Sequence, residues 1–339
     1  MIDTGLLSSL ANALAPSGFE KNVREIIAER LTELGYEPVT DNIGNVYVVL
    51  GEERPSLLLA AHMDEVGLLT SFITDNGFLR ITPLGGVTPE GLPGQVVEVL
   101  TARGTVEGVI GSTPPHLRTG PSKELSIDDL YVDIGVSTRK EAEERGVEVG
   151  TPISFQGNFR DLGDIIISKA LDDRVGCYAL LKALEEGAKP RRGSVIVAFT
   201  VQEELGLRGA SVLAKELEPN YAVAVEGTLA NDVPGVPPEK YVTRLGAGPA
   251  IRIMDRSMVA GVEFFRHIRT LAEQNSLPYQ LQISPYSGTD AGSFLVHGAT
   301  VSAVSVPVRY IHSPASLASK RDIENTTKLL QLLIEDPFP

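Results

Sequence analysis

The sequence predicts an α/β fold: a largely parallel, doubly covered sheet interrupted by a small inserted all-β unit. Three observations predict it. Uniformly apolar runs such as "SLLLAA" (56–61) and "SVIVAFTV" (194–201) read as strands covered on both faces. Such strands alternate with helix-like stretches near the start and again from residue 160 onward. Between residues 67 and 159 the alternation stops, and short runs of alternating apolar and polar residues, split by Gly- and Pro-rich turns, replace it.

Taken in order, "TGLLSSLANAL" and "FEKNVREIIAERLTELG" space their apolar residues as helices do, with the turn "APSG" between them. The strands "NVYVVL" and "SLLLAA" follow, and the second ends in "HMDEVG". The inserted unit contains "LLTSFIT", "FLRITP", "QVVEVLTA", "TVEGVIG", "LYVDIG" and "PISF", a set that predicts a barrel or sandwich. Beyond it, the strands "SVIVAFTV", "YAVAVE", "PAIRIMD", "YQLQI" and "TVSAVSV" alternate with helices expected around 171–186, 207–217, 258–275 and 319–335. The domain division is therefore a core of residues 1–66 plus 160–339 and an insertion of residues 67–159.

Composition narrows the functions available. The formal net charge is −14 and no Lys/Arg-rich tract occurs, which argues against a nucleic-acid partner. No run reaches the length of a membrane span, and the first residues lack the pattern of a secretory leader. The single cysteine, Cys177, excludes an internal disulfide framework and fits a reducing cytoplasm. It sits among helical apolar residues and reads as a core filler.

Ligands of α/β sheets gather at the carboxyl ends of strands. Those ends carry His62 and Asp64, Asp172 and Asp173, Glu203 and Glu204, Glu226 with Asp232 further on, and His312. Each has an ordinary structural reading; an Asp at a helix start, for example, is a common cap. Together they are harder to explain that way, because carboxylates crowded at one sheet edge repel unless cations neutralise them. Imidazole and carboxylate donors without thiolates suit zinc, cobalt or manganese. One carboxylate bridging two ions, with one His and one further acid on each, needs two histidines and three acids. Consecutive residues leaving a strand point different ways. Glu204 can therefore turn to a metal while Glu203 faces the open side as a proton acceptor.

The motifs "AAHMDEVGLL", "KALDDRVGC", "VQEELGLRGA", "VEGTLANDVPG", "SGTDAGSF" and "VPVRYIHSP" together resemble the TET-type aminopeptidases, two-metal exopeptidases that form hollow tetrahedral dodecamers. The resemblance spans essentially the whole chain. It implies a zinc-exopeptidase-like catalytic domain, a PDZ-like dimerisation insertion and two divalent ions per chain, Zn²⁺ or Co²⁺. It implies that His62 and Glu226 bind one ion, Glu204 and His312 the other, and that Asp172 bridges them. Glu203 is then the general base and Asp64 the carboxylate that orients His62. Many relatives carry Asp where Glu226 stands. Asp232, Thr289 and Asp290 are weaker candidates for the substrate end. His116 belongs to the insertion, and His267 and His297 read as structural. The implied substrates are short peptides cut at the N-terminus by a homo-dodecamer built from dimers. The competing functions are a carboxypeptidase or N-acyl amino acid deacylase of the same fold, a glycosidase, and a non-catalytic shell. Adjacent Glu203 and Glu204 suit a glycosidase badly, since its two acids must flank a bond. A carboxypeptidase needs a cation near the metals; Arg174, Arg208 and Arg309 lie beside the motifs, and the first two are expected to face away along helices.

Overall fold

The computed structural model describes residues 2–114, 116 and 124–339. Strands and helices are numbered along the chain. The frame is an eleven-stranded sheet whose centre is four parallel strands in the order β12 (Ser194–Thr200), β3 (Ser56–His62), β13 (Tyr221–Leu229) and β16 (Thr300–Arg309). Every residue of β3 and β12 is buried, as their unbroken apolar sequences require.

The margins are antiparallel. β2 (Val46–Leu50) pairs with β12, and β1 (Val39–Thr40) with β2. On the other side the sheet forks, because β16 is long enough to take two partners on one edge. Residues 303–305 pair with β14 (Ala250–Asp255), whose far side carries β15 (Gln280–Ser284). Residues 308 and 309 pair with β17 (Ser316–Ser319), which continues to β11 (Ile165–Ser168) and β10 (Arg160–Asp161).

Side chains alternate between two cores, as the two-residue period of a strand dictates. Leu57, Leu59 and Ala61 join Val195, Val197 and Phe199 under α1 (Thr4–Asn12), α2 (Lys21–Glu33), α4 (Leu171–Glu185), α6 (Val262–Gln274) and α8 (Lys320–Glu335). The opposite face is lined with small residues, among them Ala60, Ala198, Ala222, Ala224 and Ala303, and α5 (Arg208–Leu217) and α7 (Ala291–Val296) pack on it. Among the described residues no helix is long and apolar enough to cross a membrane.

The inserted strands close into a six-stranded barrel: β4 (Gly67–Ile73), β5 (Leu79–Leu84), β8 (Leu130–Asp133), β7 (Gly104–Ser112), β6 (Val96–Thr101) and β9 (Pro152–Phe155), which returns to β4. It has its own core, with Leu68, Ile81, Val97, Val132 and Ile153 buried. The unit is not purely β. Residues Arg139–Glu144 form α3, with the Thr138 hydroxyl accepting from Glu141 N at 3.2 Å. Only Ala142 of that helix is buried, so its sequence lacks the apolar periodicity that marks a helix.

Barrel and sheet meet at a buried charge cluster. Glu65 accepts from Lys169 Nζ at 2.6 and 2.8 Å, from Ala15 N at 2.8 Å and from the Ser154 hydroxyl at 3.2 Å. Arg174 Nη2 stands 3.6 Å from the same carboxylate, and both cations are fully buried. Lys169→Met leaves Glu65 with one distant cation, so a loss of about 3–5 kcal/mol in unfolding free energy is expected. Chemical denaturation measures it. A loss below about 1 kcal/mol, the worth of a surface pair, shows instead that Arg174 alone compensates Glu65.

Candidate active site

The carboxyl ends of the parallel strands lie along one edge, and that edge collects the acids and histidines. His62 closes β3, Glu203 and Glu204 follow β12, Glu226 lies in β13, His312 follows β16 and Asp172 opens α4. Asp172 sits between the histidines, with Oδ1 3.4 Å from His62 Nε2 and Oδ2 3.5 Å from His312 Nε2. Glu204 Oε1 is 3.1 Å from His312 Nε2.

Both rings are aimed from behind. His312 Nδ1 lies 2.9 Å from the Gly86 carbonyl, which can only accept, so that nitrogen carries the proton. His62 Nδ1 faces Asp64 O at 3.2 Å and Asp64 Oδ1 at 3.4 Å. Asp64 also explains how two acids stand side by side: its carboxylate accepts from the backbone N–H of Glu203 at 3.0 Å and of Glu204 at 3.1 Å. The Ser17 hydroxyl completes it at 2.6 Å. Asp173 turns beneath the site, accepting from the N–H groups of His62, Gly176 and Gly227 at 2.9–3.1 Å. Ala170, Gln202, Leu207, Tyr310 and His312, all in the loops that carry the site, adopt left-handed backbone angles although none is glycine. Each such residue costs of order 1–3 kcal/mol, and such residues cluster where a loop must aim a side chain.

The electrostatics favour positive charge at this point. Burial disfavours charging of His62, but hydrogen bonds to Asp172 and Asp64 and the charge of Glu203 outweigh it and raise its pKa well above the ordinary value. Burial also opposes charging of His312, yet Asp172 and Glu204 lift its pKa to about 11. Burial raises Glu203 well above the carboxylate range, with the charges of Glu226 and Glu204 adding to it against the pull of His62. Glu226 rises to about 8, mainly through burial and in spite of Arg252. Acids this close together need cations or protons between them.

The donor chemistry fits divalent ions. His62, Glu203 and Glu204 can bring one ligand atom each within 4.8 Å of one another, and so can Asp172, Glu204 and His312. The second trio is the expected set for one ion. For the other, the group that contains His62 includes Glu203 and Glu204, and Glu226 belongs to neither group in this conformation. Glu226 Oε1 instead accepts from Asp290 N at 3.3 Å, and Oε2 lies 3.6 Å from Arg252 Nη1.

A cleft of about 750 Å³ opens over the cluster; His62, Asp172, Glu203, Glu204, Glu226 and His312 all line it. Three residues expected at its substrate end sit elsewhere. Asp232 is held by Arg309 at 2.7 and 2.9 Å and does not line the cleft. Thr289 is buried and donates to Asp255 at 3.0 Å. Asp290 is buried behind Glu226, accepting from the Thr200 hydroxyl at 2.5 Å, and burial lifts its pKa to about 6. Arg174 does not face away along its helix: it is fully buried and donates to the carbonyls of Leu10 and Asp64 at 3.1 Å. Two cleft arginines, Arg252 and Arg256, lie outside the expected set. The signal for Arg252 was present in "PAIRIMD", a charge in the middle of an otherwise apolar stretch that ends at Asp255. Cys177 is buried with its thiol against the His62 carbonyl at 3.2 Å, and burial pushes its pKa up, away from nucleophilic use.

The M42 glutamyl aminopeptidase family model matches residues 44–329. The lysyl aminopeptidase of Pyrococcus furiosus is 35% identical over 350 residues, covering 100% of this chain and 99% of the relative. The crystal structure of a TET aminopeptidase from a marine sediment Thaumarchaeota archaeon superimposes with a TM-score of 0.94 at 37% identity, covering 98% of this chain and 95% of that one. The TET1 peptidase of Pyrococcus horikoshii, which can assemble into a tetrahedron or a large octahedral shell, gives a TM-score of 0.88 at 35% identity over 98% of this chain and 99% of that one.

Proposed function

This chain belongs to the M42 glutamyl aminopeptidase family, and from that premise we propose that it is a two-metal aminopeptidase that uses Glu203 as general base. The observation that carries the reading is Asp172, whose two oxygens lie 3.4 and 3.5 Å from the two histidines, the position a bridging ligand needs. His62, Asp172 and Glu226 would hold one ion of the pair, and Asp172, Glu204 and His312 the other, with zinc or cobalt suited to these donors. Bound there, the ions supply Lewis-acid polarisation of the scissile carbonyl and lower the pKa of water.

The chain's own residues do the rest. Glu203 takes the proton of the attacking water and delivers it to the leaving amine. Asp64 holds the loop that presents Glu203 and orients His62. The substrate's α-ammonium meets the acid-rich wall. Of Glu226, Asp232 and Asp290, only Glu226 lines the cleft, and Asp232 is paired to Arg309, so Glu226 is the carboxylate left to receive it. N-acetylation removes the charge that this wall attracts. Free amino-acyl anilides and short peptides are therefore expected to be cleaved and their N-acetylated counterparts not. Comparable rates on both, with release from the C-terminus, decide for a carboxypeptidase.

The working unit in this reading is a homo-oligomer. The P. horikoshii relative can form a tetrahedron, and tetrahedral rotational symmetry repeats an asymmetric chain twelve times, which supports a dodecamer built from dimers through the inserted barrel. Light scattering reads that mass directly. A cytoplasmic location completes the proposal, on the strength of the single buried thiol.

A further inference from the structure

Arg252 lies in β14 and is 1% exposed. A buried guanidinium has five N–H donors to satisfy; here four of them make hydrogen bonds, and the second N–H of Nη1 is left to face Glu226 as an ion pair. Nε donates to Gln282 Oε1 at 3.3 Å. Nη1 donates to Asp255 Oδ2 at 3.1 Å and stands 3.6 Å from Glu226 Oε2. Nη2 donates to Thr228 Oγ1 at 3.1 Å and to Ser305 Oγ at 3.4 Å.

The fork in the sheet assembles this set. Gln282 is the register neighbour of Arg252 on β15. Ser305 on β16 pairs with Glu226 on one side and Ala250 on the other. Glu226 and Thr228, two apart on β13, share a face. The acceptors are themselves fixed. Asp255 Oδ1 accepts from the N–H groups of Ser257 and Met258 and from the Ser257 hydroxyl, and Gln282 Nε2 donates to Thr228 Oγ1 at 2.6 Å. A guanidinium held at every nitrogen has no fork left for a substrate carboxylate. The one site acid that it faces is Glu226.

We propose that Arg252 is a positioning residue: it grips Glu226 from behind, so that the remaining lone pairs of that carboxylate are offered to a divalent ion held with His62 and Asp172. The longer arm of Glu226 makes such a grip necessary, because a glutamate has one more rotatable bond to fix than an aspartate. A lysine cannot reproduce the effect, since a point charge lacks the planar fork. The inference rests on the reading that Glu226 completes one ion's ligand set.

The test is calorimetric titration of Zn²⁺ into chelator-stripped protein. Arg252→Lys keeps the buried charge, and thermal unfolding in chelator verifies its fold. The expected result is one of the two ions weakened by about 10–100-fold, the usual effect of removing a group that supports a ligand, with the other unchanged. Glu226→Gln should weaken the same ion, and the double variant should add little to either single one. Wild-type affinity for both ions in folded Arg252→Lys overturns the inference, as does full additivity in the double variant. A wild-type chain that binds no divalent ion overturns the two-metal reading itself, a failure distinct from both.

Discussion

Glu203→Gln is expected to lower turnover by about 10²–10⁴-fold, the usual contribution of general acid–base catalysis, while two ions stay bound. The substitution removes the proton acceptor and little else. The Glu203 backbone N–H still donates to Asp64, so the loop keeps its place. The amide is nearly isosteric and relieves the crowding that Glu226 and Glu204 impose on Glu203. Steady-state kinetics on the metal-loaded variant measure the loss. Two results count against the base assignment. Near-normal turnover shows that the proton goes elsewhere. Loss of an ion shows that Glu203, which stands within ligand range of His62 and Glu204, serves as a ligand instead.

The architecture was legible because it follows from patterns that survive in one dimension. Leu57 to Ala61 and Val195 to Phe199 read as doubly buried strands, and they occupy the parallel centre with alternate residues in separate cores. The main ligand candidates were legible for the same reason: a parallel sheet puts every strand's carboxyl end on one edge, so His62, Glu204 and His312 could be collected from the ends of distant runs.

What depended on side-chain reach was not legible. Thr289 and Asp290 form a pair that reads as cleft-facing, yet the start of α7 tucks Asp290 under Glu226. Asp232 was drawn off by Arg309, a partner 77 residues away that no local pattern reveals. Arg174 was expected to point along its helix. The buried Glu65 and the carbonyls of Leu10 and Asp64 instead hold it in the floor of the site. Helix α3 escaped because only Ala142 faces the barrel, so its one sequence signal is the Thr138 cap with Glu141 three residues on. Arg252 escaped because its acceptors come from four strands, and only the fork at β16 brings those strands side by side.

Asp172→Ala carries the second large effect, because a bridging carboxylate serves both ions at once. Among the described residues, Asp172 is the acid whose carboxylate pairs with both His62 and His312, at 3.4 and 3.5 Å. The other members of the two groups each belong to one histidine, except Glu204, which lies within range of both trios but touches only His312 closely. Removing Asp172 leaves each ion with two protein ligands, two short of a tetrahedral set, and takes away the charge between them. Asp173 cannot substitute, because its carboxylate is occupied by three backbone N–H groups beneath the site. The decisive measurement is the metal content per chain of wild type and Asp172→Ala after equal dialysis against a weak chelator. Two ions in the wild type and essentially none in the variant is the predicted result; two ions retained by the variant contradicts a centre bridged at Asp172.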